Sequence, residues 1–404
     1  MFNGVDVRIV QKRKNKKTRM SIWMAADNVR SVDDLKDVTW SGKTSGSFAL
    51  DYATICTDVL KAVPNPAIRV LKSGSGEDAI ETSVQCNHTV IDPCSLKAAM
   101  LALNHSKMTK MSFNNCALSE TSLELLKEGI YSTQITSLAV DYNGNDTAAA
   151  AAALCNLISC SQLTSLSLRG NGIGQEQETV KVLCDALRGN TTLTNLTVYR
   201  NELGDEGVNS ILRIFRINKS LQHISLGSNG ITADCFKNIL SSVTRYTLDQ
   251  SGLEERNALL NTPVADDGGG KKKGKGKGKG SADGASTDEI LNKGVASKDK
   301  EGNDVEGSLV AAIGTVCRGN TNIVRLDLSY NVEIGKSGSS IIQQFLESSK
   351  EDIKVGSLSN LDLKGCGLID EQLQCDAVAT FLKGIRAESA SNDESGGTKK
   401  GKKK

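Results

Sequence analysis

The sequence predicts an α/β solenoid: a horseshoe of about nine strand–helix repeats, with parallel strands lining its concave side. Three observations carry this expectation. One template, L-x-x-L-x-L-x-x-N-x-L, recurs along the chain. Its copies start 27, 27, 28, 30, 28, 22, 80 and 35 residues apart, so the period is near 28 with a single large gap. The composition, 38% apolar and only 4% aromatic over 404 residues, suits a thin repeated core of small aliphatic side chains better than one large core.

The central copies are the closest: "LTSLSLRGNGIG" from Leu163, "LTNLTVYRNELG" from Leu193 and "LQHISLGSNGIT" from Leu221. Upstream lie "ITSLAVDYNGN" from Ile135, "MTKMSFNNCAL" from Met108, and a poorer copy from Glu81 with Val84, Cys86 and Ile91 in the apolar slots. Downstream are "VTRYTLDQSGL" from Val243, "IVRLDLSYNVEI" from Ile323 and "LSNLDLKGCGL" from Leu358, where Cys366 replaces the corner Asn. Alternation at L-x-L makes a short strand, and the Asn that follows satisfies backbone groups as the chain turns. A helix follows each strand. Val208, Ile211, Leu212 and Phe215 form an i, i+3, i+4, i+7 stripe, and Asp146-Thr147 caps the alanine run after it.

The period and helix cores such as "VLCDAL" (Val182 to Leu187) and "ALCNLI" (Ala153 to Ile158) resemble the ribonuclease-inhibitor type of leucine-rich repeat, over roughly residues 83–384. The resemblance implies protein binding and fixes no partner. Ahead of the repeats, Tyr52, Ile55, Cys56, Val59 and Leu60 have helical spacing, and Pro64 and Pro66 stop the helix. This Y-x-x-x-C leader is similar to that of ribonuclease-inhibitor-like proteins of cilia and flagella, which would place the chain on an axoneme.

The domain reading is a basic irregular segment 1–50, a helical cap 51–80, repeats 81–253, an insertion 254–307, repeats 308–386 and a basic tail 387–404. The insertion, centred on "GGGKKKGKGKGKGS", has no core-forming side chains and is expected to be disordered. It is placed after the Val243 strand and before a helix read in "SLVAAIGTVCRGN" (Ser308 to Asn320).

Charge is separated along the chain. Arg8–Arg19, Lys271–Lys279 and Lys399–Lys404 hold eighteen basic residues and no acid. The remaining 31 basic residues face 47 acidic ones, a balance of −16 beneath the overall +2. Eleven cysteines without a CxxC pair are read as reduced thiols. No apolar run suits a membrane span or a secretory signal, so a cytoplasmic chain is expected, with "KRKNKK" (Lys12 to Lys17) as an alternative nuclear address.

No reactive constellation emerges. "SGKTSG" (Ser41 to Gly46) resembles half a phosphate loop, but Asp37 stands where the first Gly belongs. Cys86 and His88 are two metal-type ligands without a second pair. Neither an enzyme nor a cofactor is expected. Surface remains. Positions before, between and just after the apolar strand residues face the concave side, and their larger groups are Asp141, Tyr142, Arg169, Tyr199, Arg200, His223, Arg245, Arg325 and Tyr330. Tyr and Arg among small residues are interface anchors. The expected function is a non-enzymatic scaffold, with Lys271, Lys272, Lys273, Lys275, Lys277 and Lys279 forming an electrostatic arm for an acidic partner such as tubulin tails. The alternatives are a regulator similar to the GTPase activators of Ran, or nucleic-acid association through the arms.

Overall fold

The computed structural model describes residues 32–74, 80–144, 147–215, 218–247, 316–348 and 356–396. Helix α1 (Val32–Lys36) and α2 (Phe48–Thr54), prolonged by a π-turn over Ile55–Val59, precede the repeats. Strand β1 (Arg69–Ser73) then pairs antiparallel with β2 (Ile80–Asn87). From there strand and helix alternate: α3 (Pro93–Leu103), β3 (Lys110–Asn114), α4 (Glu120–Ile130), β4 (Ser137–Asp141), α5 (Ala148–Cys155), β5 (Ser165–Ser167), α6 (Gln177–Gly189), β6 (Asn195–Thr197), α7 (Gly204–Phe215), β7 (His223–Ser225) and α8 (Ala233–Val243). After a detour through β8 (Arg245–Thr247) and β9 (Val316–Arg318) come β10 (Arg325–Asp327), α9 (Gly335–Ser348), β11 (Asn360–Asp362) and α10 (Glu371–Gly396).

The main sheet runs β1-β2-β3-β4-β5-β6-β7-β10-β11 and is parallel from β2 onward. Successive helices pack side by side behind it. Strands repeat about every 4.8 Å and packed helices every 8–10 Å, so each unit is a wedge and the stack bends with its strands inside. Between the layers lie the template leucines: Leu166, Leu168, Leu196, Val198, Ile224 and Leu226 are all buried, facing the buried stripe Val208, Ile211, Leu212 and Phe215 of α7. Each such side chain contributes about 1.5–3 kcal/mol. At the start of α5 the Thr147 side chain accepts from the Ala150 N–H, as the capped alanine run requires.

The corner asparagines tie repeat to repeat. Oδ1 of Asn171, Asn201, Asn229 and Asn331 accepts the backbone N–H of Asn143, Asn171, Asn201 and Asn229 at 2.9, 2.9, 2.8 and 2.8 Å. Their Nδ2 groups donate to strand carbonyls of the preceding repeat: Val140, Leu168, Val198 and Leu226. Asn201 and Asn331 are fully buried, so each bond replaces water that has no access. At Cys366 the expected thiol replacement holds, with Sγ 3.2 Å from the Leu328 carbonyl. Cys116 does the same in the second repeat, 3.1 Å from the Cys86 carbonyl, although "FNNC" offers two asparagines one and two positions too early.

Three expectations need correction. The Val243 copy is not a repeat of the solenoid: among the described residues β8 pairs only with β9, in a separate two-stranded antiparallel sheet, and β7 pairs directly with β10. The ladder bond from Asn229 to Asn331 spans 102 residues against 28 from Asn201 to Asn229, a surplus of 74. This detour therefore leaves after α8 and returns before β10, at the edge where chains enter their strands. Its neck is pinned by Asn320 N–H to the Ser242 carbonyl at 2.8 Å and Gly319 N–H to the Thr244 carbonyl at 2.6 Å. A Cβ at Gly319 would sit 2.6 Å from the Ser242 carbonyl oxygen, so only glycine fits. The helix read in Ser308 to Asn320 gives way to strand β9 over residues 316–318, and residues 308–315 lie outside the described residues, as does the disorder expected for 254–307. The 51–80 cap is not purely helical, since β1 adds an antiparallel strand to the sheet.

Two outcomes follow. Asn201→Ala strands a buried N–H and buried carbonyls, and should cost roughly 3 kcal/mol in urea unfolding. Excising residues 245–318 restores a 28-residue repeat and should move the melting temperature by no more than about 5 °C, with melting still cooperative by circular dichroism.

Candidate functional site

The sheet register sets the concave face in rows. The first row reads Ser83, Lys110, Ser137, Ser165, Asn195, His223, Arg325, Asn360 from β2 to β11, and the second reads Gln85, Ser112, Ala139, Ser167, Thr197, Ser225, Asp327, Asp362. Between β4 and β7 the floor is therefore almost wholly Ser, Thr, Asn and Ala. Its Asn195 Oδ1 is buried with no hydrogen-bond partner among the described residues.

Beyond the strands the chain must turn sharply toward the corner Asn, and the residue just before that corner takes a left-handed backbone: Asn115 (φ 53°), Tyr142 (53°), Arg200 (54°), Ser228 (53°) and Tyr330 (60°). This conformation costs an L-residue roughly 1–2 kcal/mol. It is repaid by a bond to the next repeat, as where Tyr142 N–H meets the Arg169 carbonyl at 2.7 Å and Arg200 N–H the Gly227 carbonyl at 2.9 Å. The turn aims these side chains along one rim.

Six of the expected residues assemble on that rim. Asp141 Oδ1 accepts from Ser167 Oγ at 2.6 Å and from Arg169 N–H at 3.0 Å. The Arg169 guanidinium lies 4.7 Å over the Tyr199 ring, a cation–π contact worth about 0.5–1 kcal/mol at an exposed site. Tyrosines lie on glycines of the following repeat: a Cβ at Gly170 would meet the Tyr142 ring at 2.3 Å, at Gly227 the Tyr199 ring at 2.6 Å, and at Gly365 the Tyr330 ring at 2.7 Å. These glycines seat the rings flat. Arg200 is exposed beside them, and Tyr330 stands on the same rim at β10, half exposed.

His223 and Arg325 are paired neighbours at the opposite end of the strands. Arg245 is not on this face at all; it belongs to β8 in the neck, because the Val243 segment left the solenoid before making a repeat. The structure adds Lys110, Asp327, Asp362 and Lys364, which occupy the same template columns and are legible there once the register is known. Asp327 accepts from Ser225 Oγ at 2.5 Å and Ser329 N–H at 2.9 Å, and Asp362 accepts from Lys364 N–H at 3.0 Å.

The other candidates disperse. Ser41 to Gly46 is a loop before α2, and where a phosphate would sit the Glu81 carboxylate already accepts from Ser47 Oγ (3.2 Å) and Phe48 N–H (3.0 Å). Cys86 is buried in the core, whereas His88 turns outward at φ 55° and meets Asn115 Nδ2 through Nδ1 at 3.1 Å, so the two never converge. Among the described residues no three His, Cys, Asp or Glu side chains are placed to hold a metal ion, and no helix is long and apolar enough to cross a membrane. The arm lysines Lys271, Lys272, Lys273, Lys275, Lys277 and Lys279 lie outside the described residues.

Four of the buried thiols are held protonated. Burial pushes Cys155, Cys184 and Cys235 up to about 12 and Cys160 up to about 11. Iodoacetamide at pH 8 should thus leave Cys155, Cys184 and Cys235 unlabelled until urea unfolds the chain, as read by mass spectrometry. Because the native state keeps protons that the unfolded chain releases from about pH 9, stability should be intact below that pH and decline toward pH 12.

Comparison with known families agrees with the geometry. The family model described as leucine-rich repeat matches residues 189–212 and 319–339. Both matches begin on a Gly-Asn pair, Gly189-Asn190 and Gly319-Asn320, and the second starts where the neck closes. Domains built from such repeats generally mediate protein–protein interaction and are generally not enzymes.

Proposed function

We propose that this leucine-rich-repeat protein is a scaffold that docks a protein partner on its concave face, centred on Tyr142, Arg169, Tyr199 and Arg200. One observation carries the reading: anchor-type side chains are gathered on a rim and seated by glycines and a cation–π contact, beside a floor of small residues low enough for a partner backbone to approach. Rings and guanidinium groups already held in place lose little conformational entropy on binding, which is where such residues gain affinity.

The finer placement is a ribonuclease-inhibitor-like component of a ciliary or flagellar axoneme, with the lysine arm reinforcing attachment to acidic surfaces such as tubulin tails. It rests on the leader helix, whose Tyr52, Ile55 and Cys56 are buried in the cap, and on the charge of the arm. Retention in detergent-washed axonemes supports it; an entirely soluble pool speaks against it.

The docking reading is tested with a photo-crosslinking residue at Ser167. Arg169→Ala combined with Tyr199→Ala should lower adduct yield about fivefold, since each truncation of an anchor costs about 1–2 kcal/mol or more, while the melting curve stays in place. Unchanged adducts in the double variant would refute it.

A further inference from the structure

The charges of the concave face are divided unevenly between the fold and the outside. Its carboxylates are occupied: Asp141 holds Ser167 Oγ and Arg169 N–H, Asp327 holds Ser225 Oγ and Ser329 N–H, and Asp362 holds Lys364 N–H. Glu202, two residues beyond Arg200, accepts from Gln175 Nε2 at 3.1 Å. The cations are different. Lys110, Arg169, Arg200, Arg325 and Lys364 are all exposed, and none of them forms an ion pair among the described residues. This holds although acids outnumber bases outside the three lysine- and arginine-rich tracts, with a balance of −16. The inner face thus presents five cations that no carboxylate pairs among the described residues, beside four carboxylates that already hold hydrogen-bond donors of the fold.

We infer that the partner meets this face with an acidic polypeptide segment whose carboxylates pair with Arg169, Arg200 and Arg325, an inference that rests on the concave face being the docking surface. Arg169 and Arg200 follow β5 and β6 at one end of the strands, and Arg325 begins β10 at the other. The line joining them crosses the Ser165, Ser167, Asn195, Thr197 and Ser225 floor diagonally. Three strand spacings and about four residues of strand rise make that diagonal about 20 Å long, which about six residues of extended chain or about thirteen of helix would span. Guanidinium groups suit carboxylates because two parallel N–H donors match two oxygens. A nucleic-acid strand fits less well, because its regularly spaced phosphates would have to confront Asp141, Asp327 and Asp362 on the same face, whereas a polypeptide can place neutral residues opposite them.

The test uses the full-length protein and a fluorescein-labelled fourteen-residue glutamate-rich peptide. Binding is measured by anisotropy for four forms: the unaltered chain, the Arg169→Glu, Arg200→Glu, Arg325→Glu triple variant, a chain with the six arm lysines changed to Gln, and the combination. The triple reversal should lower affinity about tenfold or more with the arm intact or neutralised, and should flatten its salt dependence. A variant with Gln at the three arginines should fall between, which separates charge from any loss of packing. Affinity that follows the arm lysines alone, or a fourteen-nucleotide RNA bound more tightly than the peptide through the same arginines, would overturn the inference. Thr197→Trp raises the floor without changing charge. If it abolishes crosslinks to the cellular partner, and the triple reversal weakens them no more than the variant with Gln at the three arginines does, the docking face stands and the acidic partner does not.

Discussion

Every repeat of this molecule depends on a backbone that cannot satisfy itself. Where the chain leaves its strand it turns through a left-handed residue into a buried corner, and the N–H and C=O groups exposed by that turn find their partners in the adjacent repeat and in the corner side chain itself. The asparagine column from Asn143 to Asn331 supplies them, one amide both accepting from one neighbour and donating to strand carbonyls. Beyond β11, the last strand among the described residues, the Glu371 carboxylate stands in. It accepts from Gly365 N–H at 2.8 Å and Gly367 N–H at 3.1 Å. At the N-terminal end, Glu81 performs the comparable service for the first turn of α2, and β1 covers β2.

The same constraint explains where a detour of 74 residues is tolerated. At the ladder corner an interruption would break bonds on both sides. Between α8 and β10 the chain can leave and return because the residues that close the gap, Ser242, Thr244, Gly319 and Asn320, bond across the neck. Asn320 then resumes the role of Asn190 and Asn218 at the strand approach, donating to the Asn218 carbonyl at 2.8 Å while its Oδ1 accepts from Ile323 N–H at 3.0 Å. The fold therefore reads across the gap as though it were absent.

Function follows from the same turn. Because the residue before each corner must be left-handed, its side chain is aimed along one rim whatever its identity, and here those identities include Tyr142, Arg200 and Tyr330. The floor beside them is kept low by Ser, Thr and Ala. A surface of this kind has many weak contacts and a few seated anchors, which suits recognition of a polypeptide better than chemistry on a small molecule.

The sequence by itself determined the repeat, its period, its buried leucine columns and the rim residues Asp141, Tyr142, Arg169, Tyr199 and Arg200, because these depend on local alternation and on a template visible in several copies. Tertiary structure alone decided three things. Val243 to Leu253 imitates the template, yet its strand turns back on residues 316–318, because pairing partners are chosen by what lies beside a strand and not by its pattern. Arg245 left the concave face with it. Which concave charges are hydrogen-bonded by the fold and which stand exposed without an ion pair is likewise a matter of geometry, since an Asp and an Arg one column apart look alike in sequence until their hydrogen bonds are drawn.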